Sequence, residues 1–257
     1  MVIRGRPFEL GALAVDVTWL DRVGSTNDYL AGLAPNPTPR LVLSWTQMAG
    51  RGRLGRQWLS PEGASLALSV DLGSLVPRPT SEDWLGILPL LAGCCLAEAL
   101  ERELKCTPTV KWPNDVLLGG KKVAGVLGEI PEPGRVILGI GLNVWEVPDS
   151  MDSGAVTALS NWGVSDHEVL ARSVQSFIGE FLRRVENGGD QFAEENLAFI
   201  RRYLATLGQS VRVSMPDGST VVGVADTFDR AGRLVVTTAS GTEVISAGDI
   251  EHLRTAH

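Results

Sequence analysis

Residues 14–23 alternate apolar and polar side chains, with Val15, Val17 and Trp19 on one side. Period-two alternation predicts a half-buried strand. Gly24-Ser25-Thr26-Asn27 follows, and Ser25 or Thr26 caps a short predicted helix over residues 27–34. Beyond a loop with Pro35, Pro37 and Pro39, apolar runs at 41–46 and 66–70 predict two further strands. Residues 84–104 form a long apolar stretch that predicts a helix, with Pro89 as the point for a kink. Residues 109–112, 116–118, 123–130 and 135–144 predict successive strands with tight turns, of which Gly119-Gly120 is the clearest hairpin signal. Helical periodicity returns over 165–186 and 191–207.

The texture changes near Gly208. Short alternating runs at 211–213, 220–224, 233–237 and 243–245 are separated by turns such as Pro216-Asp217-Gly218 and Ser240-Gly241. Strands of this length and spacing predict a small β-barrel. We therefore expect a large domain over 1–207 and a small β-barrel domain over 208–257.

A chain of 257 residues suffices for such a pair, and 44% hydrophobic content with 21% charge fits a folded protein. A net charge of −7 argues against a general nucleic-acid or membrane-surface binder. Three Cys, two of them adjacent (Cys94, Cys95), form neither a disulfide framework nor a zinc pattern. The expected compartment is reducing and cytoplasmic. Of 23 basic residues only four are Lys, and Lys111, Lys121 and Lys122 fall close together. Lys is a compact mobile charge where Arg is a planar fork, so the local switch bears on chemistry.

Five segments carry chemistry. Gly50-Arg51-Gly52-Arg53-Leu54-Gly55-Arg56 holds three Gly, three Arg and no acid. Backbone N–H groups and guanidinium forks suit phosphate or carboxylate, so this reads as a flexible loop that orders over an anion. The alternatives are a solvated loop or an RNA-binding tract. Lys111-Trp112-Pro113-Asn114-Asp115 presents a cation, an amide and a carboxylate on one turn. Lys111 can neutralise a transferring phosphate and Asp115 can hold Mg²⁺. The alternative is a hairpin whose Asn and Asp bond their own backbone. Lys122-Val123-Ala124-Gly125 and Gly139-Ile140-Gly141-Leu142-Asn143 leave room beside strands for a ligand. Ser25-Thr26-Asn27 offers donors and acceptors to a polar head group such as a ureido ring, or simply caps a helix. The three His (His167, His252, His257) lie outside these segments, which leaves catalysis to Lys, Arg and metal.

Taken in order, with Gln47 and Trp58 added, these motifs resemble biotin protein ligase (the biotin–[acetyl-CoA-carboxylase] ligase type) over about residues 14–256. The resemblance implies an α+β fold: a mixed-sheet catalytic domain of the biotin/lipoate ligase type, then a small Src-homology-like barrel. It implies a ligase that makes biotinoyl-5′-AMP from biotin and ATP with Mg²⁺ and passes biotin to a Lys of the biotin carboxyl carrier domain of an acyl-CoA carboxylase. By position, Ser25, Thr26, Asn27 and Gln47 meet the biotin head group. Gly50, Arg51, Gly52 and Arg53 close over biotin, joined by Trp58, Gly125, Gly139 and Gly141. Arg53, Arg56, Lys111, Asn114 and Asn143 serve ATP, and Asp115 with Asn143 serve the metal. Lys111, Arg56 and Lys122 carry the chemistry. About thirteen residues precede the first strand, too few for a DNA-binding domain, so the non-regulatory type is expected. Neither DNA nor membrane is an expected partner, and the expected state is a monomer or weak homodimer. Rival readings are lipoate or octanoate transfer on a related fold and nucleic-acid binding through the Gly/Arg loop. The last fifty residues weigh against nucleic acid, with four Arg against six acids.

Overall fold

The computed structural model describes residues 11, 15–73, 75, 84–104, 106–148, 151–152, 154–186 and 190–253. His257 and residue 14, at the start of the first alternating run, lie outside them. Strands β1 (Asp16–Leu20) and β2 (Arg40–Ser44) pair in parallel across the short helix α1 (Thr26–Ala31). Then come β3 (Ser65–Asp71), helix α2 (Trp84–Glu103), β4 (Thr109–Lys111), β5 (Asp115–Leu118), β6 (Lys121–Glu132) and β7 (Arg135–Asn143). The seven strands form one mixed sheet in the order β1-β2-β3-β7-β6-β5-β4.

β3 explains how this sheet is covered on both faces, since every one of its residues is buried. Its alternation sends Leu66, Leu68 and Val70 into the main core and Ser69 and Asp71 to the opposite face. On the first face lies α2, packed on β4, β5 and β6 and covered by α3 (His167–Glu186) and α4 (Asp190–Tyr203). That sandwiching explains why α2 is apolar nearly all round, and it runs unbroken through Pro89. The opposite face carries α1. Arg135, 5% exposed, binds Asp71 at 2.7 Å and donates to the α1-end carbonyls of Leu30 (2.6 Å) and Leu33 (2.9 Å). A charge this buried persists because it is paired and fully hydrogen-bonded.

After α4 the chain forms a five-stranded antiparallel sheet: β8 (Ser210–Ser214), β9 (Thr220–Phe228), β10 (Leu234–Thr238), β11 (Gly241–Ile245) and β12 (Asp249–His252). The order is β11-β10-β9-β8-β12. Four of these strands match the expected runs, and β12 was not anticipated. Its four residues bury only Ile250, a pattern too short and polar to signal a strand, and it forms because β8 offers it a ladder. The two sheets share one hydrophobic core. Trp112 donates its indole N–H to the Gly232 carbonyl at 2.9 Å and its backbone N–H to Thr206 Oγ1 at 3.0 Å. Among the described residues no helix is long and apolar enough to cross a membrane.

Candidate active site

α1 begins at the mouth of a cleft because Ser25 caps it, its Oγ accepting from the Asp28 N–H at 3.3 Å. Capping leaves Thr26 and Asn27 in the first turn, 3% and 5% exposed, between β2, β3 and β7. Gln47 Oε1 accepts from the Thr26 N–H at 2.9 Å. Ser69 donates to Asn27 Oδ1 at 2.6 Å, and its Oγ lies 2.7 Å from Thr26 Oγ1. These residues build one polar end of a cleft of about 360 Å³. Every candidate named from the sequence lines that cleft except Gly50. Gly50 is buried behind it, where a Cβ would fall 2.6 Å from Gln47 Nε2 and 2.7 Å from the Trp58 carbonyl. Its absent side chain lets the two loop strands close.

The floor comes from strand register. β6 and β7 pair so that Gly125 faces Gly141, two adjacent positions without a side chain. The Trp58 indole fills that groove: a Cβ on Gly141 would lie 2.7 Å from Trp58 Cζ2, and one on Gly125 3.2 Å from Trp58 Cζ3. Gly139 meets Asn27 in the same way, its Cβ position 2.9 Å from Asn27 Cγ. The room expected beside these strands is thus taken by two of the chain's own cleft residues.

The other end is cationic. Five basic side chains line the cleft against two carboxylates, Asp115 and Asp249: Arg53, Arg56, Lys111 and Lys122 at this end, and Arg51 near Asn27, with which it shares Glu129. The turn between β4 and β5 holds Lys111 and Asp115 on paired positions, with Trp112-Pro113 cis between them. Asp115 Oδ1 meets Lys122 Nζ at 2.5 Å, and Lys122 lies 5.5 Å from the Trp58 ring centre. Asn114 clamps β6 by donating to the Val126 carbonyl at 2.8 Å. Asn143 receives a bond from Ser65 and donates to the Thr157 carbonyl at 3.2 Å. Residues after β7 fold back beside Lys122, whose backbone accepts from the Thr157 N–H at 2.9 Å, and so bring Met151 and Val156 to the wall.

The Gly/Arg loop folds with a single 3-10 turn at Arg53–Gly55, in which Leu54 takes a left-handed φ of 55°. The Trp58 N–H donates to the Gly50 carbonyl at 2.9 Å and the Gly52 N–H to the Arg56 carbonyl at 2.7 Å. The acids missing from the loop arrive from elsewhere. Arg51 pairs with Asp28 (2.6 Å) and Glu129 (2.9 Å), and Arg56 with Asp249 (2.5 Å). Arg53 donates to the Gly248 carbonyl at 3.3 Å. Burial lowers the Arg53 pKa; Asp249 opposes that, Arg56 adds to it and Asp115 opposes it. Arg53 stays cationic throughout the working range. Ser69, Glu129 and Asp249 were missed by sequence reading. Only their cleft partners, far away in the chain, give them a role.

Two sequence profiles match. Residues 19–143 match the biotin/lipoate A/B protein ligase family, and residues 206–253 match the biotin protein ligase C terminal domain. A biotin–[acetyl-CoA-carboxylase] ligase of Mycobacterium tuberculosis is 37% identical over 242 residues, covering 91% of this chain and 87% of the relative. One from Paracoccus denitrificans is 33% identical and covers 90% and 98%. A biotin protein ligase from Aquifex aeolicus, solved in complex with biotin and ATP, superposes with a TM-score of 0.73 at 28% identity, covering 93% of this chain and 99% of that one. With such identity sustained through the cleft-forming strands and the C-terminal sheet alike, this chain belongs to the biotin protein ligase family.

Proposed function

We propose that the cleft joins biotin to ATP and then delivers biotin to a lysine of the carrier domain of an acyl-CoA carboxylase. The observation that carries this is the polarity of one continuous cleft. A donor- and acceptor-rich end at Thr26, Asn27 and Gln47 suits a ureido ring, and four cations beyond it (Arg53, Arg56, Lys111 and Lys122) suit a carboxylate meeting a triphosphate. Both reactants are anions, so their approach costs Coulomb energy that Lys111, Arg56 and Arg53 offset. A biotin carboxylate oxygen attacks the α-phosphorus and pyrophosphate departs. The carrier lysine amine then attacks the acyl carbon and AMP leaves. Lys122, poised by Asp115, holds the carboxylate end, and Trp58 with the loop keeps water from the mixed anhydride.

Mg²⁺ accompanying ATP suits the donors present. Among the described residues no cluster of three or more His, Cys, Asp or Glu groups forms, so an all-protein cage is not what this cleft offers. An ion carried largely by phosphates and water needs one or two hard oxygens, and Asp115 with Asn143 supplies them. We take residues 1–207 as the catalytic unit and 208–257 as the C-terminal unit, working in the cytoplasm as a monomer or weak homodimer without DNA or membrane. A buried polar head-group end disfavours lipoate or octanoate, which would leave those groups unpaired.

The test is mass spectrometry of a purified biotin carrier domain after incubation with the protein, MgATP and biotin, lipoate or octanoate in separate arms. One biotinoyl group on one lysine is expected. Modification by lipoate or octanoate in place of biotin would overturn the reading.

A further inference from the structure

Glu129 sits between the head-group end of the cleft and the Gly/Arg loop. It lies on β6, four residues beyond Gly125, and lines none of the cleft itself. One of its oxygens, Oε2, accepts from Asn27 Nδ2 at 2.6 Å and from Arg51 Nη2 at 2.9 Å. A carboxylate is acceptor-only, so it forces the Asn27 amide nitrogen toward itself and the amide oxygen toward Ser69, which donates at 2.6 Å. Asn27 then has one N–H and one lone pair left for a ligand, in a set orientation. The same oxygen holds Arg51 of the loop. We propose that Glu129 is a positioning residue that couples the head-group end of the cleft to the Gly/Arg loop, by holding the Asn27 amide and the Arg51 guanidinium on one carboxylate.

This inference rests on reading the cleft as a biotin site. It has two separable consequences, because the two contacts ask different things of residue 129. Asn27 needs an acceptor, which a glutamine oxygen also supplies. Arg51 needs negative charge, which glutamine lacks. Asp28 still pairs with Arg51 at 2.6 Å, so the loop loses one of two anchors rather than both.

The experiment compares wild type, Glu129→Gln and Glu129→Ala in three readouts: biotin KM in pyrophosphate release, ATP KM in the same assay, and dissociation of preformed biotinoyl-AMP. In Glu129→Gln the adenylate leaves about fivefold faster while biotin KM stays within about twofold of wild type. In Glu129→Ala release is equally fast and biotin KM also rises about tenfold. ATP KM is unchanged in both, which a general loss of structure would not allow. An unchanged adenylate release rate in Glu129→Gln overturns the coupling. A biotin KM that rises as much in Glu129→Gln as in Glu129→Ala overturns the division of labour. If Glu129→Ala does not fold, Glu129→Gln alone decides through its release rate. Wild type that releases no pyrophosphate with biotin and MgATP would instead refute the biotin reading, before either variant is compared.

Discussion

Lys111 shows how much a single charge can be asked to do. It ends β4 beside the cleft, paired in register with Asp115, whose carboxylate already holds the Lys122 ammonium. Lys111→Ala is expected to cut pyrophosphate release at least about 100-fold while biotin binding changes by less than about threefold, because the lost contact acts on charge at the transferring phosphate. Isothermal titration with biotin and a pyrophosphate assay check the two halves. His252 is a residue-scale case of another kind. Its Nε2 lies 3.2 Å from Thr206 Oγ1, and its pKa is lowered first by burial and then by the Lys111 charge. The folded chain therefore resists protonating it. Below about pH 6.5 the unfolded chain takes the proton first, so stability falls as pH drops through that range and is fully present above it. His167, lowered by burial between Trp45 and Trp145, adds to the same slope. In thermal melts from about pH 7 to pH 5, His252→Asn should lose less Tm than wild type. Equal losses would show that His252 does not titrate with folding.

Among the elements, the Gly/Arg loop owes most to residues far from it in the chain. Its composition predicts a mobile, self-repelling segment, and the fold holds it with carboxylates at Asp28, Glu129 and Asp249. Those acids stand 23, 78 and 193 residues from their arginine partners, beyond the reach of any local pattern. The Arg56–Asp249 pair is exposed on both sides, so it should be worth well under about 1 kcal/mol. Limited trypsin digestion of ligand-free protein should cut after Arg56 a few-fold faster in Asp249→Asn, and biotin with ATP should slow cutting in both proteins. Identical digestion rates in the two proteins would show that β12 does not restrain the loop. The regular elements were far more legible. α1 follows from a Ser cap, and β3 from an apolar run over 66–70 broken only by Ser69. β12 escaped because three of its four residues stay out of the core and its stability is borrowed from β8.

At the scale of the molecule, the two sheets share one core because Trp112, in the turn after β4, bridges them. Trp112 is 1% exposed, packs in the shared core, and gives its indole N–H to Gly232 on the C-terminal side. Trp112→Phe keeps most of the apolar volume and strands that carbonyl, at a cost of about 1–3 kcal/mol. Urea unfolding should show a lower midpoint, and a two-step transition would mean the sheets have uncoupled. The same bridge sets β12 against the cleft, so Asp249 and Ile250 become cleft residues. Local patterning determined the helices, every strand but β12, the change of texture at Gly208 and the motifs that supply most of the cleft, because caps, periodicity and turn chemistry act over a few residues, while Gln47 and Trp58 came from the family resemblance. Only the tertiary structure decided what each of those residues faces. It paired Gly125 with Gly141 and laid Trp58 over them, and it turned Glu129 toward Asn27 and Arg51. It also supplied the acids that hold the arginine loop, because a hydrogen bond or ion pair depends on distance in space and chain separation carries no record of it.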